Sequence, residues 1–373
     1  MSHPPARPHA DDFASARNLP VEWADPLRAK AFARWLALIT DAQGLEPASL
    51  RIASADASFR RYLRVDSAFG SRIIMDAPPV LEDARPFVKV ATMMAAAGIR
   101  VPAVMAWDEE NGFLLLSDLG RTTMMQALER DAPHANLGLY LKAIEALVQW
   151  QSASRPEFLP VHDAPTMRRE LELFAQWYVE RHRGIRVEGA LRKTLDQAFD
   201  TIIHECQAWP RVYVHNDFMP RNLMMPHGMG DDGQAEERLG VLDFQDAVDG
   251  PITLDIASLM RDAFLSWEEE FVIDVTVRYW EKARAAGLPV GGDFGAFYRG
   301  VEWTGLQRHL RIAGTFARLT LRDGKPQYLA DTPRFIHYIR STAARYSGLR
   351  PLLRLLDAIE GVQAQSGYAI GRM

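Results

Sequence analysis

The chain has 373 residues, of which 48% are hydrophobic and 24% charged, and its formal net charge is −5. This length and apolar content allow a large buried core and favour two structural units over one. The sequence contains neither a long basic run with interleaved aromatic residues nor an apolar stretch of about eighteen residues, so a nucleic-acid partner and a membrane span are both disfavoured.

The start of the chain and its cysteine content indicate the compartment. The opening residues, MSHPPARPHADDF, lack the charged segment, apolar core and cleavage site of a secretion signal. The single cysteine, Cys206, cannot form an internal disulfide and is expected to be a small buried residue of a helix. We therefore expect a soluble cytoplasmic protein whose residues 1–24 form a mobile tail.

The next hundred or so residues predict a small mixed unit. Helical periodicity over PLRAKAFARWLALITDAQGL is followed by three strand-like segments, SLRIAS, RRYLRVDS and SRIIMDAPP. A second helix is predicted over residues 83–97, ending at Gly98, and a hairpin that turns at Asn111 and Gly112 follows it. These segments predict an antiparallel sheet of about five strands within residues 25–118.

Beyond this sheet the pattern is mostly helical to the end of the chain. Two short strand-like segments interrupt it, VYV before residue 215 and LGVLDF after a polar turn, and each is followed by polar residues. We therefore predict an α+β fold with two lobes, in which residues 119–373 form the larger, mainly helical lobe.

Four polar residues at the ends of these two strands form a pattern suited to phosphoryl transfer. His215, Asp217 and Asn222 have the spacing H-x-D-x-x-x-x-N, and Asp243 follows the second strand. An aspartate can accept the proton of an attacking hydroxyl, while an asparagine and a second aspartate supply the hard oxygen ligands that magnesium prefers. The pattern predicts Asp217 as the catalytic base and Asn222 and Asp243 as magnesium ligands.

The same segments resemble a known group of enzymes. HNDFMPRN followed by LDFQDAVDGPITLDIASLMRDAF resembles the aminoglycoside phosphotransferase and choline kinase superfamily. Within it, ASFRRYLRV, IIMDAPP and GLQRHLRIAGTFARL are most similar to the bacterial kinases that phosphorylate the anomeric hydroxyl of N-acetylmuramate and N-acetylglucosamine in cell-wall recycling. The resemblance covers most of residues 50–320 and implies a protein-kinase-like bilobal fold, ATP and Mg²⁺ as cofactors, and a small sugar as substrate. The sequence gives no indication of an oligomeric state.

Further residues of the catalytic segment have expected roles. His215 is expected to support the loop, and Arg221, inside it, to contact phosphate or substrate. Asp246 is either a second carboxylate near metal or substrate or a cap of the next turn. For Asp255, in GPITLDIASLM, the resemblance implies a structural carboxylate that buttresses the loop from beneath.

The segment expected to bind nucleotide lacks the glycine-rich loop of a simple kinase. Between the first two strands stands SADASFRR, in which Ser58, Arg60 and Arg61 are the candidate phosphate ligands. If the segment is strand-like, one of the two adjacent arginines faces outward. The resemblance implies that adenine binds at the hinge between the lobes, where Asp118 is either a binding residue or a local cap.

A lysine of the usual kinase pattern is also missing. Met75 and Asp76 stand where a protein kinase carries a lysine that pairs with a helix glutamate. The candidates to replace that lysine are Arg60, Arg61, Arg72 and Lys89. If none does, the chain is a nucleotide-binding scaffold or pseudokinase, although its Asp217, Asn222 and Asp243 favour an active enzyme.

The helical lobe contains the candidate substrate contacts. Gln307 and Arg308, in the helical run WTGLQRHL, are candidates for binding sugar hydroxyls, an acetamido group or a carboxylate, or they belong to an ordinary amphipathic helix. The alternative acceptors are an aminoglycoside or a choline-like compound. The basic groups of GLQRHLRIAGTFARL favour a sugar acid over such cations, and the absence of an Ala-Pro-Glu run after Asp243 disfavours a protein kinase.

Overall fold

The computed structural model describes residues 21–55, 60–228 and 235–362. The chain divides into two compact units, the first comprising Met1–Thr122 and Met224–Asp246 and the second comprising Thr123–Leu223 and Ala247–Met373. The predicted tail over residues 1–24 lies, up to residue 20, outside the described part of the chain. No helix in the described ranges is long and apolar enough to cross a bilayer.

The first unit contains the predicted antiparallel sheet. Its two longer described helices are α1 (Pro26–Gln43) and α2 (Arg85–Ala96). The strands are β1 (Leu45–Ala55), β2 (Arg61–Ser67), β3 (Gly70–Asp76), β4 (Val104–Asp108) and β5 (Phe113–Ser117), in the order β1-β2-β3-β5-β4. The hairpin turn is confirmed at Gly112, which has a φ of 70°. A Cβ there would lie 1.9 Å from the carbonyl oxygen of Ala77, so the turn requires glycine.

Helix α1 packs its aromatic side chains against this sheet. Asp25 caps the helix by accepting a hydrogen bond from a backbone N–H of the first turn, at 2.8 Å. Phe32 and Trp35 are buried, with ring centroids 5.4 Å and 5.5 Å from that of Phe113 on β5. Such ring pairs add specific geometry to apolar burial, so they fix the helix on the sheet.

A buried carboxylate closes the end of β3. Asp76 is 1% exposed and accepts hydrogen bonds from two arginines, Arg28 of α1 on Oδ1 and Arg61 of β2 on Oδ2. The Arg28 Nε lies 2.8 Å from Oδ1, and the Arg61 Nη2 lies 2.6 Å from Oδ2. Because a buried charge is tolerated only when it is paired, these arginines stabilise the carboxylate and join α1 to the sheet.

The second unit is mostly helical, and the chain as a whole has the predicted α+β class. Its described α-helices are α3 (Met124–Ala127), α4 (Leu137–Ser152), α5 (Ala164–Leu173), α6 (Gly189–Gln207), α7 (Leu254–Met260), α8 (Glu269–Ala285), α9 (Phe294–Leu321), α10 (Thr332–Arg345) and α11 (Arg350–Glu360). Helix α5 continues into a π-helix, Phe174–His182. Its short strands β6 (Arg211–Val214) and β9 (Val248–Pro251) pair with each other. In the later segment of the first unit, β8 (Gly240–Val241) pairs with β7 (Leu223–Met224).

Helix α9 is the central element of the second unit's core. It contacts α5, α6, α7, α10 and the π-helix. Its side chains Trp303, Leu306 and Leu310 belong to one apolar cluster with residues of α5, α6, α10 and the π-helix. At Gly314 the helix approaches the chain where α5 meets the π-helix. A Cβ on Gly314 would lie 2.2 Å from the carbonyl carbon of Leu173, which no real packing allows.

We expect Gly314→Ala to destabilise the second unit by about 2 to 3 kcal/mol, because the added methyl group overlaps backbone atoms that cannot move aside independently. Gly305→Ala on the same helix is the control, since its Cβ would lie 3.9 Å from the nearest atom, the Ala257 Cβ, and alanine favours a helix by about 1 kcal/mol. Thermal unfolding followed by circular dichroism measures both changes. Equal melting temperatures for the two variants would contradict the expected close contact.

A second prediction concerns the first unit. Asp76→Asn should cost about 3 kcal/mol, because the guanidinium groups of Arg28 and Arg61 would lose their common anion. Asp66→Asn is the matched control. Asp66 pairs with Arg51 at 2.8 Å but its side chain is 45% exposed, so its loss should cost less than about 1 kcal/mol. Similar melting temperatures for the two variants would show that the Asp76 charge does not stabilise this unit.

Candidate active site

The catalytic segment begins where strand β6 ends. Val214, the last residue of β6, pairs with Val248 of β9, and residues 215–219 then form a loop that leads into a short 3-10 turn, Pro220–Asn222. The segment therefore has the predicted arrangement of a strand followed by a polar loop. All of these residues belong to the second unit.

Asp255 holds the loop from the first turn of α7. This carboxylate is fully buried and accepts the backbone N–H groups of His215 at 2.7 Å and of Asn216 at 3.0 Å. Asn216 has a φ of 77°, a left-handed conformation that non-glycine residues seldom adopt. Burial raises the pKa of Asp255 to about 6, against the opposing effects of His215 and the two backbone N–H groups. The predicted structural carboxylate is confirmed.

Hydrogen bonds within the catalytic loop also hold the backbone of Asp217. His215 is buried, and its Nδ1 accepts the backbone N–H of Asp217 at 3.3 Å. The His215 ring lies 5.7 Å from that of Phe218, and the Asn222 Nδ2 donates to the Asp217 carbonyl oxygen at 2.9 Å. These contacts fix the backbone of Asp217 on both sides. They suit the supporting role predicted for His215.

Two arginines of α9 hold the Asp217 carboxylate. The Nη2 atoms of Arg308 and Arg311 lie 3.1 Å and 3.3 Å from Oδ1 of Asp217. Both hydrogen bonds found for this carboxylate in the described chain therefore fall on Oδ1, while the side chain is 36% exposed. Because both hydrogen bonds hold Oδ1, they fix the plane of the carboxylate. Oδ2 is then the oxygen that can accept a hydroxyl proton.

A second carboxylate, Glu170 of α5, extends this network. The Gln307 Nε2 donates to its Oε2 at 2.6 Å, and the His162 Nε2 lies 3.0 Å from the same oxygen. The Arg311 Nη1 bridges Glu170 Oε1 at 3.4 Å and Asn216 Oδ1 at 3.1 Å. Burial alone would raise the pKa of Glu170, but the Arg311 charge and these hydrogen bonds lower it to about 2, so the carboxylate is charged.

Sequence reasoning misses Glu170 and Arg311. Arg311 stands three residues after Arg308, and that spacing places both on one face of a helix, so a signal for it exists. Glu170 carries no comparable signal because it comes from a separate helix. The catalytic cluster of the second unit is thus larger than the sequence motif.

The predicted substrate-binding residues Gln307 and Arg308 have buried side chains. Gln307 is 2% exposed and Arg308 is 1% exposed. Burial lowers the pKa of the Arg308 guanidinium, an effect that the Asp217 charge opposes. In the described chain, Nε and Nη1 of Arg308 lack a hydrogen-bond partner. The two side chains hold Glu170 and Asp217, and their direct contact with a substrate stays a prediction.

Arg221 is exposed beside the catalytic loop. Its guanidinium carbon lies 4.7 Å from the centroid of the Phe264 ring, a cation–π contact. Nearby, Asp262 is buried, and burial raises the pKa of its carboxyl group to about 6 although Arg308 and Arg221 oppose the shift. The predicted contact of Arg221 with phosphate or substrate stays a prediction.

The predicted nucleotide residues of the first unit are held in ion pairs. Arg60 is 9% exposed and its Nη2 lies 3.3 Å from Glu82 Oε2, while Arg61 is partly exposed and pairs with Asp76. Ser58 lies outside the described residues. Arg60 directly precedes β2 and Arg61 begins it, and each guanidinium pairs with a carboxylate. Their contact with phosphate stays a prediction.

Asp118 has the contacts of a local cap. Its carboxylate accepts from Arg64 Nε at 2.6 Å, from Ser71 Oγ at 2.6 Å and from the Gly120 backbone N–H at 2.9 Å. Burial favours the neutral carboxyl group, but Arg64 and the other donors outweigh it and lower the pKa of Asp118. Its predicted role in nucleotide binding stays a prediction.

Asp243 and Asp246 lie in the first unit, on the segment that follows β8. Asp243 has a φ of 63°, and the Gln245 Nε2 donates to its Oδ1 at 2.9 Å and approaches Asp246 Oδ2 at 3.4 Å. Strained backbone of this kind persists where surrounding contacts enforce it. Phe244 supplies such a contact, since it is fully buried with its ring 4.8 Å from that of Phe87.

Each of the two predicted metal ligands, taken by itself, has a chemistry that suits magnesium. Asp243 offers a carboxylate, and Asn222 offers an amide oxygen whose orientation is fixed because the amide nitrogen donates to the Asp217 carbonyl. Hard oxygen ligands of these two types are the ones that magnesium takes beside phosphate oxygens.

Comparison with known proteins identifies the group to which the chain belongs. Residues 49–290 match the phosphotransferase enzyme family. An N-acetylmuramate/N-acetylglucosamine kinase of Neisseria meningitidis serogroup B is 47% identical over 314 residues, covering 84% of this chain and 91% of that protein. The enzyme of the same name from Pseudomonas aeruginosa is 46% identical over 319 residues, covering 85% and 91%.

Solved structures show the same fold at low sequence identity. An ethanolamine kinase of Plasmodium vivax gives a TM-score of 0.58 at 10% identity, covering 94% of this chain and 97% of that one. A choline/ethanolamine kinase family protein of Mesorhizobium loti gives 0.58 at 15% identity, covering 88% and 99%. The predicted protein-kinase-like fold and the predicted resemblance are both confirmed. The chain therefore belongs to the phosphotransferase enzyme family.

Proposed function

We propose that this phosphotransferase is an ATP-dependent cytoplasmic kinase that phosphorylates the anomeric hydroxyl of N-acetylmuramate and N-acetylglucosamine, giving sugar 1-phosphates in peptidoglycan recycling. The names of relatives at 44–47% identity support these acceptors. The observation that carries the proposal is the pair of arginines, Arg308 and Arg311, on the Asp217 carboxylate. These two cations offset the charges of Asp217 and Glu170, so the cluster has no excess negative charge that would attract a polycation. It therefore suits a neutral sugar or a sugar acid better.

In the proposed reaction Asp217 is the general base. Its Oδ2 accepts the proton of the anomeric hydroxyl while the hydroxyl oxygen attacks the terminal phosphorus of ATP, and ADP leaves with the bridging oxygen. Arg308 and Arg311 keep the carboxylate in one orientation through Oδ1. Asp255 keeps the loop backbone in place, so that the base needs little rearrangement when the acceptor binds.

Magnesium would be held by Asn222 and Asp243, where it would neutralise charge on the phosphate oxygens. We assign nucleotide binding to residues 25–118, with Ser58, Arg60, Arg61 and Asp118 as candidates, and catalysis and acceptor binding to residues 119–373. Asp246 and Arg221 remain candidates for contact with the acceptor or its phosphate.

Two other functions compete with this proposal. An aminoglycoside or choline-like acceptor is cationic and calls for an acidic site, but Asp217 and Glu170 are each paired with arginine. A nucleotide-binding scaffold would explain the absence of the usual lysine at Met75 and Asp76. It would not explain why Asp217, Asn222 and Asp243, the residue types that a base and magnesium ligands need, occur together at this spacing.

The first test is turnover with ATP, magnesium and N-acetylmuramate, followed by phosphorus NMR for a sugar 1-phosphate. Asp217→Asn should lower the rate by at least about 100-fold, because the amide cannot accept the hydroxyl proton. Kanamycin and choline serve as competing acceptors. Turnover of either one without the sugars, or nucleotide binding without any turnover, would reject the proposal.

A parallel test examines how Asp255 supports the catalytic loop. Asp255→Ala should lower both the melting temperature and the rate, since it leaves the N–H groups of His215 and Asn216 unpaired at about 1 to 3 kcal/mol each. Circular dichroism melts beside the rate assay measure both, and a fully stable Asp255→Ala protein would refute the supporting role.

A further inference from the structure

We propose that Arg311, positioned by Glu170, is the residue that distinguishes a carboxylate-bearing acceptor from a neutral one. The inference rests on the proposed function, because it names the residue that would bind the carboxylate of N-acetylmuramate. Sequence reasoning assigns such a contact to Arg308. The contacts and exposure of the two side chains favour Arg311.

Arg308 and Arg311 differ in the solvent exposure of their side chains. The Arg308 side chain is 1% exposed, so its guanidinium presents almost no surface to a ligand beside Asp217. The Arg311 side chain is 15% exposed, and its partners Asp217 and Glu170 are 36% and 18% exposed. Arg311 is therefore the cation at the accessible edge of the cluster.

Three of the contacts that Arg311 makes in the described chain are ones that a ligand can replace. Its contacts with Glu170, Asn216 and Asp217 are 3.4 Å, 3.1 Å and 3.3 Å long. Guanidinium and carboxylate groups in an optimal pair approach to about 2.7–2.9 Å and can bond through two parallel contacts. A ligand carboxylate would therefore form stronger bonds to Arg311 than the resting contacts that it displaces.

Because Glu170 is fixed in place, Arg311 can exchange contacts for a ligand carboxylate while its guanidinium stays aligned. Its Oε2 is fixed by Gln307 at 2.6 Å and by His162 at 3.0 Å, so the carboxylate cannot follow Arg311 towards a ligand. Gln307 and His162 are both buried, which makes the anchor rigid. Glu170 thus acts on the acceptor through Arg311, as a positioning residue.

The charges of the side chains around Asp217 explain why a neutral sugar and a carboxylate-bearing sugar would both be acceptors. Arg308 and Arg311 balance Asp217 and Glu170, so a neutral sugar meets a cluster with no net charge. When Asp217 takes the hydroxyl proton, one positive charge is left in excess. An acceptor carboxylate compensates that charge, whereas a neutral acceptor leaves the resting contacts of Arg311 intact.

The test compares kcat/KM for N-acetylmuramate and for N-acetylglucosamine in the full-length protein with ATP and magnesium. Arg311→Gln should lower the ratio of the two values about 10- to 100-fold, the range expected for a charge-assisted hydrogen bond of about 1.5 to 3 kcal/mol. Arg311→Lys, which keeps the charge, should recover part of the ratio. Arg299→Gln is the control, because Arg299 lies on the same helix and pairs with Glu205 at 2.7 Å.

Each outcome decides the proposal. An equal fall for both sugars would overturn it, because Arg311 would then act only by holding Asp217. An unchanged ratio would also overturn it. If Arg311→Gln does not fold, the ratio for Arg311→Lys decides in the same way, with a fall expected. Wild-type protein that phosphorylates neither sugar would instead reject the proposed function, and this inference with it.

Discussion

The catalytic geometry depends on one buried carboxylate. Asp255 accepts the N–H groups of two successive residues, His215 and Asn216, and so holds the second of them at a φ of 77°. That conformation turns the chain directly before Asp217. Without an internal acceptor, the two N–H groups would be buried and unpaired, and a different loop would be favoured. The position of the base therefore follows from a residue that takes no part in the proposed chemistry.

Helix α9 joins the core of the second unit to its charged cluster. Its apolar side chains form the centre of the core, and Gly314 brings it against the backbone at Leu173. Arg308 and Arg311 lie on the same helix, within two turns of this contact. Because a helix is stiff over such a distance, the packing at Gly314 also sets where the guanidinium groups lie. The packing of the core therefore also determines how the Asp217 carboxylate is oriented.

The amino-acid sequence is most informative where the determinants are local. His215, Asp217 and Asn222 lie within eight consecutive residues, so their spacing alone predicts the loop and its main residue. Helix α1 and the turn at Gly112 are likewise predicted from their own periodicity and turn chemistry.

Prediction fails where the partners are distant in sequence. The pairing of Asp76 with Arg28 joins residues 48 positions apart, and the sequence marks Asp76 only as a departure from the kinase pattern. Glu170 is missed for the same reason, because its partners Gln307 and Arg311 lie on a separate helix. A buried ion pair specifies no local pattern, because either partner alone resembles a surface charge. The acceptor preference of the site depends on just these pairs. The balance of charge beside the base follows from the contacts that α9 makes with Glu170 of α5 and with Asp217 of the catalytic loop. A cluster without excess negative charge favours a neutral or anionic acceptor over a polycation.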